Sequence, residues 1–130
     1  MILDTSFIID FMEGDEGALE RHRKLIERAE TYRVSSAAIF ELWTGVAHSK
    51  RRSEEKLKVT KALSGISTIP LTSLMAEKAG EIHGTLAKEG QAIDIVDAMI
   101  AATAVLENET VLTRNIKHFS RVKGLRIESY

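Results

Sequence analysis

Four acids in this chain stand where solubility alone does not explain them. Asp4 ends the apolar opening "MIL". Glu41 lies inside "SSAAIFELWTG", with apolar neighbours on both sides. Asp94 and Asp97 open "DIVDAMIAATA", a stretch with hardly any polar side. Their spacing of three puts both on one helical face. A carboxylate carried into apolar surroundings needs a partner or a cation. Carboxylates gathered within a few ångströms repel strongly in a partly dry site, so folding assembles them only around a counter-charge. Three or four of them at one place make an oxygen-only site, which selects Mg²⁺ or Mn²⁺ over zinc. His22, His48, His83 and His118 show neither HxxxH nor HExxH spacing, and the chain has no cysteine. Thiolate chemistry and Cys-ligated zinc are therefore excluded. His22 and His83 read as residues of helix faces.

Each acid also has an ordinary reading. Asp4 can cap the helix that follows it. Glu41 can be an exposed point on an amphipathic helix. Asp94 can be an N-cap, with Asp97 in the first turn favoured by the helix dipole. Asp97 resists this reading most, because "AMIAATAVL" after it must bury its flanks. The choice depends on where the elements bring these residues.

Those elements alternate. "MILD" reads as a short strand running from an edge into the core, and "SFIIDFME" as a short helix with Ser6 near its N-cap. "DEGALERHRKLIERAE" carries Ala18, Leu19, His22, Leu25, Ile26 and Ala29 on one helical stripe. "YRVSS", "ISTIPL" and "TVLT" are further strands, and "RIESY" is a candidate fifth. "SAAIFELWTGVAH", "SEEKLKVTKALSG", "TSLMAEKAGEIHGTLAKEG" and "DIVDAMIAATAVLEN" are helices; Thr72 or Ser73 caps the third of these and Gly90 stops it. Strands alternating with helices predict an α/β fold, with a parallel sheet between helical layers. Ligands of such sheets bind outside the carboxyl ends of the strands, at the topological switch point. Asp4 and Thr113 close two strands at that edge, and the helix opened by Asp94 and Asp97 must start near it.

At 130 residues with 44% hydrophobic content, the chain is sized for one domain with its own core. One proline and no Gly/Ser linker leave no internal boundary, so residues 1–130 are read as a single unit. No apolar run reaches ~18 residues, so no membrane span is expected. An acid at position 4 makes the opening a strand rather than a secretion signal. The lack of cysteine fits a reducing cytoplasm. Net charge is −1, from 18 basic and 19 acidic residues, so a uniformly basic nucleic-acid binder is not indicated. The basic residues are nonetheless bunched in "RHRK", "KRR" and "RNIKHFSRVK", which allows basic edges around an acidic centre.

"MILDTSFIID", "SSAAIFELWTG", "DIVDAMIAATA" and "VLTRNIKHFSRVKGLRI" follow one another in the order and spacing of PIN-domain ribonucleases. The chain resembles most the small VapC-like toxins of toxin–antitoxin pairs, over essentially its whole length. The resemblance implies a three-layer α/β/α fold around a parallel sheet of four or five strands. It maps the family's acids onto Asp4, Glu41 and Asp97, as catalytic residues and ligands of Mg²⁺ or Mn²⁺. A fourth metal-site position falls on Asn115, which keeps a carbonyl oxygen and drops a charge. Asp94 is an additional acid that can supply that charge. Ser6 and Thr113 match hydroxyl positions that orient the carboxylates. Arg114, Lys117, Arg121 and Lys123 are candidates for RNA phosphate contacts.

The activity implied is metal-dependent endoribonucleolytic hydrolysis of single-stranded or looped RNA, to 5′-phosphate and 3′-hydroxyl ends. The partners implied are RNA, a cognate antitoxin and a second copy of the chain. Two alternatives stay open: an RNA-processing nuclease outside any toxin system, and a non-catalytic binding module. An aspartyl-phosphate enzyme of the haloacid-dehalogenase type is disfavoured, because it needs DxDx[TV] where this chain has "DTSFI".

Overall fold

A computed structural model describes residues 1–130. In chain order the elements are β1 (Ile2–Leu3), α1 (Thr5–Glu13), α2 (Glu16–Glu27), β2 (Arg33–Ser35), α3 (Ser36–His48) and α4 (Arg52–Leu63). Then come β3 (Ser67–Ile69), α5 (Ser73–Lys88), α6 (Ile95–Leu106), β4 (Thr110–Leu112), α7 (Ile116–Phe119) and β5 (Arg126–Glu128). All neighbouring strands pair in parallel, in the order β3-β2-β1-β4-β5. The chain steps outward from β1 through β2 to β3, then crosses back to β4 on the other side of β1. Right-handed crossovers in opposite directions place helices on both faces of the sheet, the expected three-layer arrangement.

The local signals explain the elements. Ser35 caps α3, its hydroxyl accepting from the Ala38 amide at 3.1 Å. Of the two residues considered for α5, Thr72 is the cap and accepts from Met75 N at 3.2 Å. Gly90 follows α5 at φ 68°, a left-handed conformation that a side chain would strain. Ile2, Leu3, Val34, Val111 and Leu112 are all buried, so β1, β2 and β4 form the middle of one core. No helix is long and apolar enough to cross a membrane.

Two expectations are corrected, and one element is added to those expected. β1 does not run in from an edge; it is the central strand, because the later strands add on both sides of it. The stripe on α2 is only half right. Ala18 and Leu25 are buried, but Leu19 and Ile26 are exposed, and Ala29 lies beyond the helix. Arg21 takes the inward place between Ala18 and Leu25. Its guanidinium pairs with Glu30 at 2.9 Å and with Glu128 of β5 at 2.7 Å, which makes burial tolerable. Finally, "NIKHF" contains a one-turn helix, α7, too short to show periodicity in sequence.

Candidate active site

The strand order reverses between β1 and β4, so the crevice at their carboxyl ends is the switch point. Register aligns Leu3 with Leu112, and the ladder continues one step as Asp4 N donates to Leu112 O at 3.0 Å. Asp4 and Thr113 are therefore side by side at the crevice.

Asp4 is 3% exposed. It occupies the N-cap position of α1, yet its side chain makes no capping bond. Both of its hydrogen bonds fall instead on Oδ2. Ser6 Oγ donates at 2.6 Å and Thr113 Oγ1 at 2.7 Å. These charge-assisted bonds fix the carboxylate and leave Oδ1 without a protein donor. Ser6 is in the first turn of α1, one residue past the helix start.

Asp97 projects from the first turn of α6 and is 8% exposed. Asn115 Nδ2 donates to its Oδ2 at 3.2 Å, and His118 Nδ1 lies 3.3 Å from the same oxygen. Asn115 Nδ2 and His118 Nδ1 are 2.8 Å apart. Oδ1 again has no protein donor. Burial pushes the Asp97 carboxyl up to about 6, and the charges of Asp4, Glu41 and Asp94 push the same way, against the contact with His118. Four acids from three separate stretches of sequence thus act on one another at this edge.

Glu41 is half-buried on α3 and makes no hydrogen bond or ion pair with another side chain. Its neighbours Phe40 and Trp43 are exposed, so apolar flanking residues did not signal burial on both sides. Asp94 is exposed and stands at the N-cap position of α6, again without a capping bond from its side chain. It acts on Asp97 through charge alone.

The acids are near one another but not gathered: no three Asp, Glu or His side chains are placed to share one ion in this conformation. The donor chemistry still suits a hard divalent cation. Asp4 and Asp97 each keep one oxygen free, Glu41 is unpartnered, and Asp97 is raised by burial and by the acids around it. His118 was not among the residues expected here, and it puts a ring nitrogen beside Asp97. The sequence signal was present as NxxH: three residues on a helical turn put His118 over Asn115.

The basic candidates divide. Lys117 is exposed without an acidic partner. Arg121 donates from Nη1 to the carbonyls of Gln91 and Ala92 (3.3 and 2.8 Å), bracing the segment before Asp94. Arg114 pairs through Nη1 with Asp10 at 2.7 Å, yet its side chain is 65% exposed. Asp10 escaped the sequence reading entirely.

Known proteins resemble this chain along nearly its whole length. The chain is 29% identical to ribonuclease VapC2 of Rickettsia felis, across 99% of this chain and 96% of that protein. It is 28% identical to the tRNA(fMet)-specific endonuclease VapC of Shigella flexneri, with the same coverage. Among solved structures, VapBC2 from Rickettsia felis bound to a DNA fragment from its promoter matches with a TM-score of 0.88 and 28% identity, over 99% of this chain and 97% of that one. The family model for the PIN domain matches residues 1–125, and the chain belongs to the PIN-domain family.

Proposed function

We propose that this chain is a divalent-metal-dependent endoribonuclease and the toxin of a toxin–antitoxin pair. The observation that carries the reading is Asp97. A carboxylate raised first by burial and then by the charges of Asp4, Glu41 and Asp94, at the switch point, is suited to a cation. The relatives' names supply the reaction class, ribonuclease, and solved complexes of VapBC type supply the partner class, an antitoxin protein. A second copy of the chain completes the assembly we propose.

Asp4, Glu41 and Asp97 would hold Mg²⁺ or Mn²⁺, with Asn115 contributing its carbonyl oxygen and Asp94 added charge. When bound, the ion supplies positive charge against the phosphorane and lowers the pKa of the attacking water. Ser6 and Thr113 hold Asp4 with one oxygen turned to the crevice. Asn115 and His118 hold Asp97 in the same way. Arg114 and Lys117, at the rim, contact backbone phosphates of an unpaired or looped RNA. Hydrolysis of the P–O3′ bond leaves a 5′-phosphate and a 3′-hydroxyl.

The test is direct. Purified protein should cut RNA with Mg²⁺ or Mn²⁺ and stop with EDTA, and mapped ends should carry 5′-phosphates. Cleavage that survives thorough chelation refutes the metal role. Ends bearing 2′,3′-cyclic phosphates refute hydrolysis by water.

A further inference from the structure

Asp10 is a buried acid for which the proposed reaction has no use. It lies on α1, one helical turn beyond Ser6 and on the same face. Each of its oxygens has one donor. Arg114 Nη1 donates to Oδ1 at 2.7 Å, and the Tyr130 hydroxyl donates to Oδ2 at 2.7 Å. The Tyr130 ring is itself fixed, edge-on against buried Phe7 with centroids 4.9 Å apart. Arg114 is gripped at its other end too, where its backbone amide donates to Ser6 Oγ at 3.2 Å. Its chain neighbours Thr113 and Asn115 touch Asp4 and Asp97. One exposed guanidinium is thus tied at both ends, directly beside the acidic crevice.

This tether answers a physical problem. A free arginine beside Asp4, Glu41 and Asp97 would fold onto them, since its fork matches a carboxylate. Asp10 takes one Nη1 proton and holds the group aside, leaving the remaining N–H donors without protein partners and open to solvent. We propose that Asp10 and Tyr130 are positioning residues that present Arg114 as a clamp for an RNA phosphate at the rim of the site. This rests on the ribonuclease reading for its ligand, but binding can be measured without cleavage.

The experiment is anisotropy of a labelled single-stranded RNA in EDTA, from 50 to 200 mM KCl, on wild type, Asp10→Asn, Tyr130→Phe and Arg114→Gln. Arg114→Gln should bind about tenfold more weakly and lose about one from the log–log salt slope. Asp10→Asn removes a negative charge, so Coulomb attraction alone predicts tighter RNA binding. The clamp predicts the opposite sign, weakening by about three- to tenfold, and no weakening when Arg114 is already glutamine. Tyr130→Phe should weaken binding in the same direction by a smaller factor, without any change of charge.

In cleavage with Mn²⁺, the Asp10 and Tyr130 variants should raise KM and leave kcat in place. Asp10→Asn that binds RNA as tightly as wild type, or more tightly, overturns the proposal. Should Asp10→Asn fail to fold, Tyr130→Phe with wild-type affinity overturns it. If wild type binds RNA with this variant pattern but never cleaves it, the clamp stands and the nuclease reading falls. Metal-dependent cleavage with no variant effect on binding leaves the nuclease reading and removes the clamp.

Discussion

Asp97→Asn separates a metal site from an ordinary helix start by the sign of a stability change. In the folded protein the Asp97 carboxyl is raised from 3.8 to about 6, first by burial and then by Asp4. That rise is worth about 3 kcal/mol against the folded state once the group is ionised. Below pH ~4 the carboxyl is protonated whether folded or unfolded, and the penalty is absent. It grows from pH ~4 to ~6, where the native state holds the proton and the unfolded chain has released it. Above pH ~6 it is fully developed. Asparagine removes the charge and keeps an oxygen and a size similar to aspartate, although a buried amide retains some desolvation cost. The metal-free variant should therefore gain about 1–3 kcal/mol at pH 8.

For a chain of 130 residues, an unfolding entropy near 2.1 cal/mol/K per residue converts this to about 4–11 °C in Tm. The gain should shrink to about 0.5 kcal/mol near pH 4, close to the unfolded pKa, and vanish below it. Mn²⁺ works against this difference. Wild type gains RT ln(1 + [L]/Kd), about 2.7 kcal/mol at a hundredfold excess over Kd, and the variant loses most of that. Melting curves of both proteins at pH 8 and pH 4, with EDTA and with Mn²⁺, give all the values. A variant less stable than wild type in EDTA at pH 8, yet keeping the full Mn²⁺ shift, would show that Asp97 is only a helix start.

Thr113→Val deletes one of the two hydroxyl donors to Asp4 and should weaken Mn²⁺ binding and lower cleavage about tenfold, with the fold intact by circular dichroism; unchanged metal affinity and rate refute the orienting role. Asn115→Asp should retain cleavage and tighten Mg²⁺ or Mn²⁺ binding, while Asn115→Leu should lose cleavage; equal activity in all three places the residue outside the site. The acidic crevice should be blocked in the toxin–antitoxin complex by a basic antitoxin segment, an arginine pairing with the carboxylates through both arms of its fork. Calorimetry of the complex should show Mn²⁺ binding abolished, and a partner that inhibits cleavage while leaving that binding intact refutes this mode.

The readable part of the site was the part governed by local pattern and by one topological rule. Asp4 and Thr113 each end an apolar run, so their place at the carboxyl edge of a parallel sheet followed from the α/β alternation alone. Asp97 was legible because "AMIAATAVL" has no face left for solvent, and α6 does bury most of its residues. Strand order was not legible: "MILD" reads the same at an edge as at the centre, and only the later crossover to β4 makes β1 central. Arg21 was invisible as a core residue because one of its partners, Glu128, lies 107 positions away. His118 and Asp10 were missed for a similar reason. His118 depends on the single turn of α7, and Asp10 looks like the polar side of a short helix until Arg114 and Tyr130 arrive from the far end of the chain.

These misses share a cause that bears on how the site works. Gathering acids at one edge stores repulsion, and each acid meets it with a different neighbour. Asp4 has two hydroxyls, which orient it without cancelling its charge. Asp97 has an amide and an imidazole, which hold one oxygen and leave its charge only partly offset. Asp10 alone has a full cation, Arg114. The partners differ in kind: neutral donors at the two carboxylates proposed to hold a metal, and a guanidinium at the acid to which no metal role is given. An arginine on Asp4 would have given a more stable protein and closed the site. Neutral donors keep the centre short of positive charge. That deficit adds to the effect of burial on Asp97, and it is what the proposed divalent cation or an antitoxin's arginine would offset.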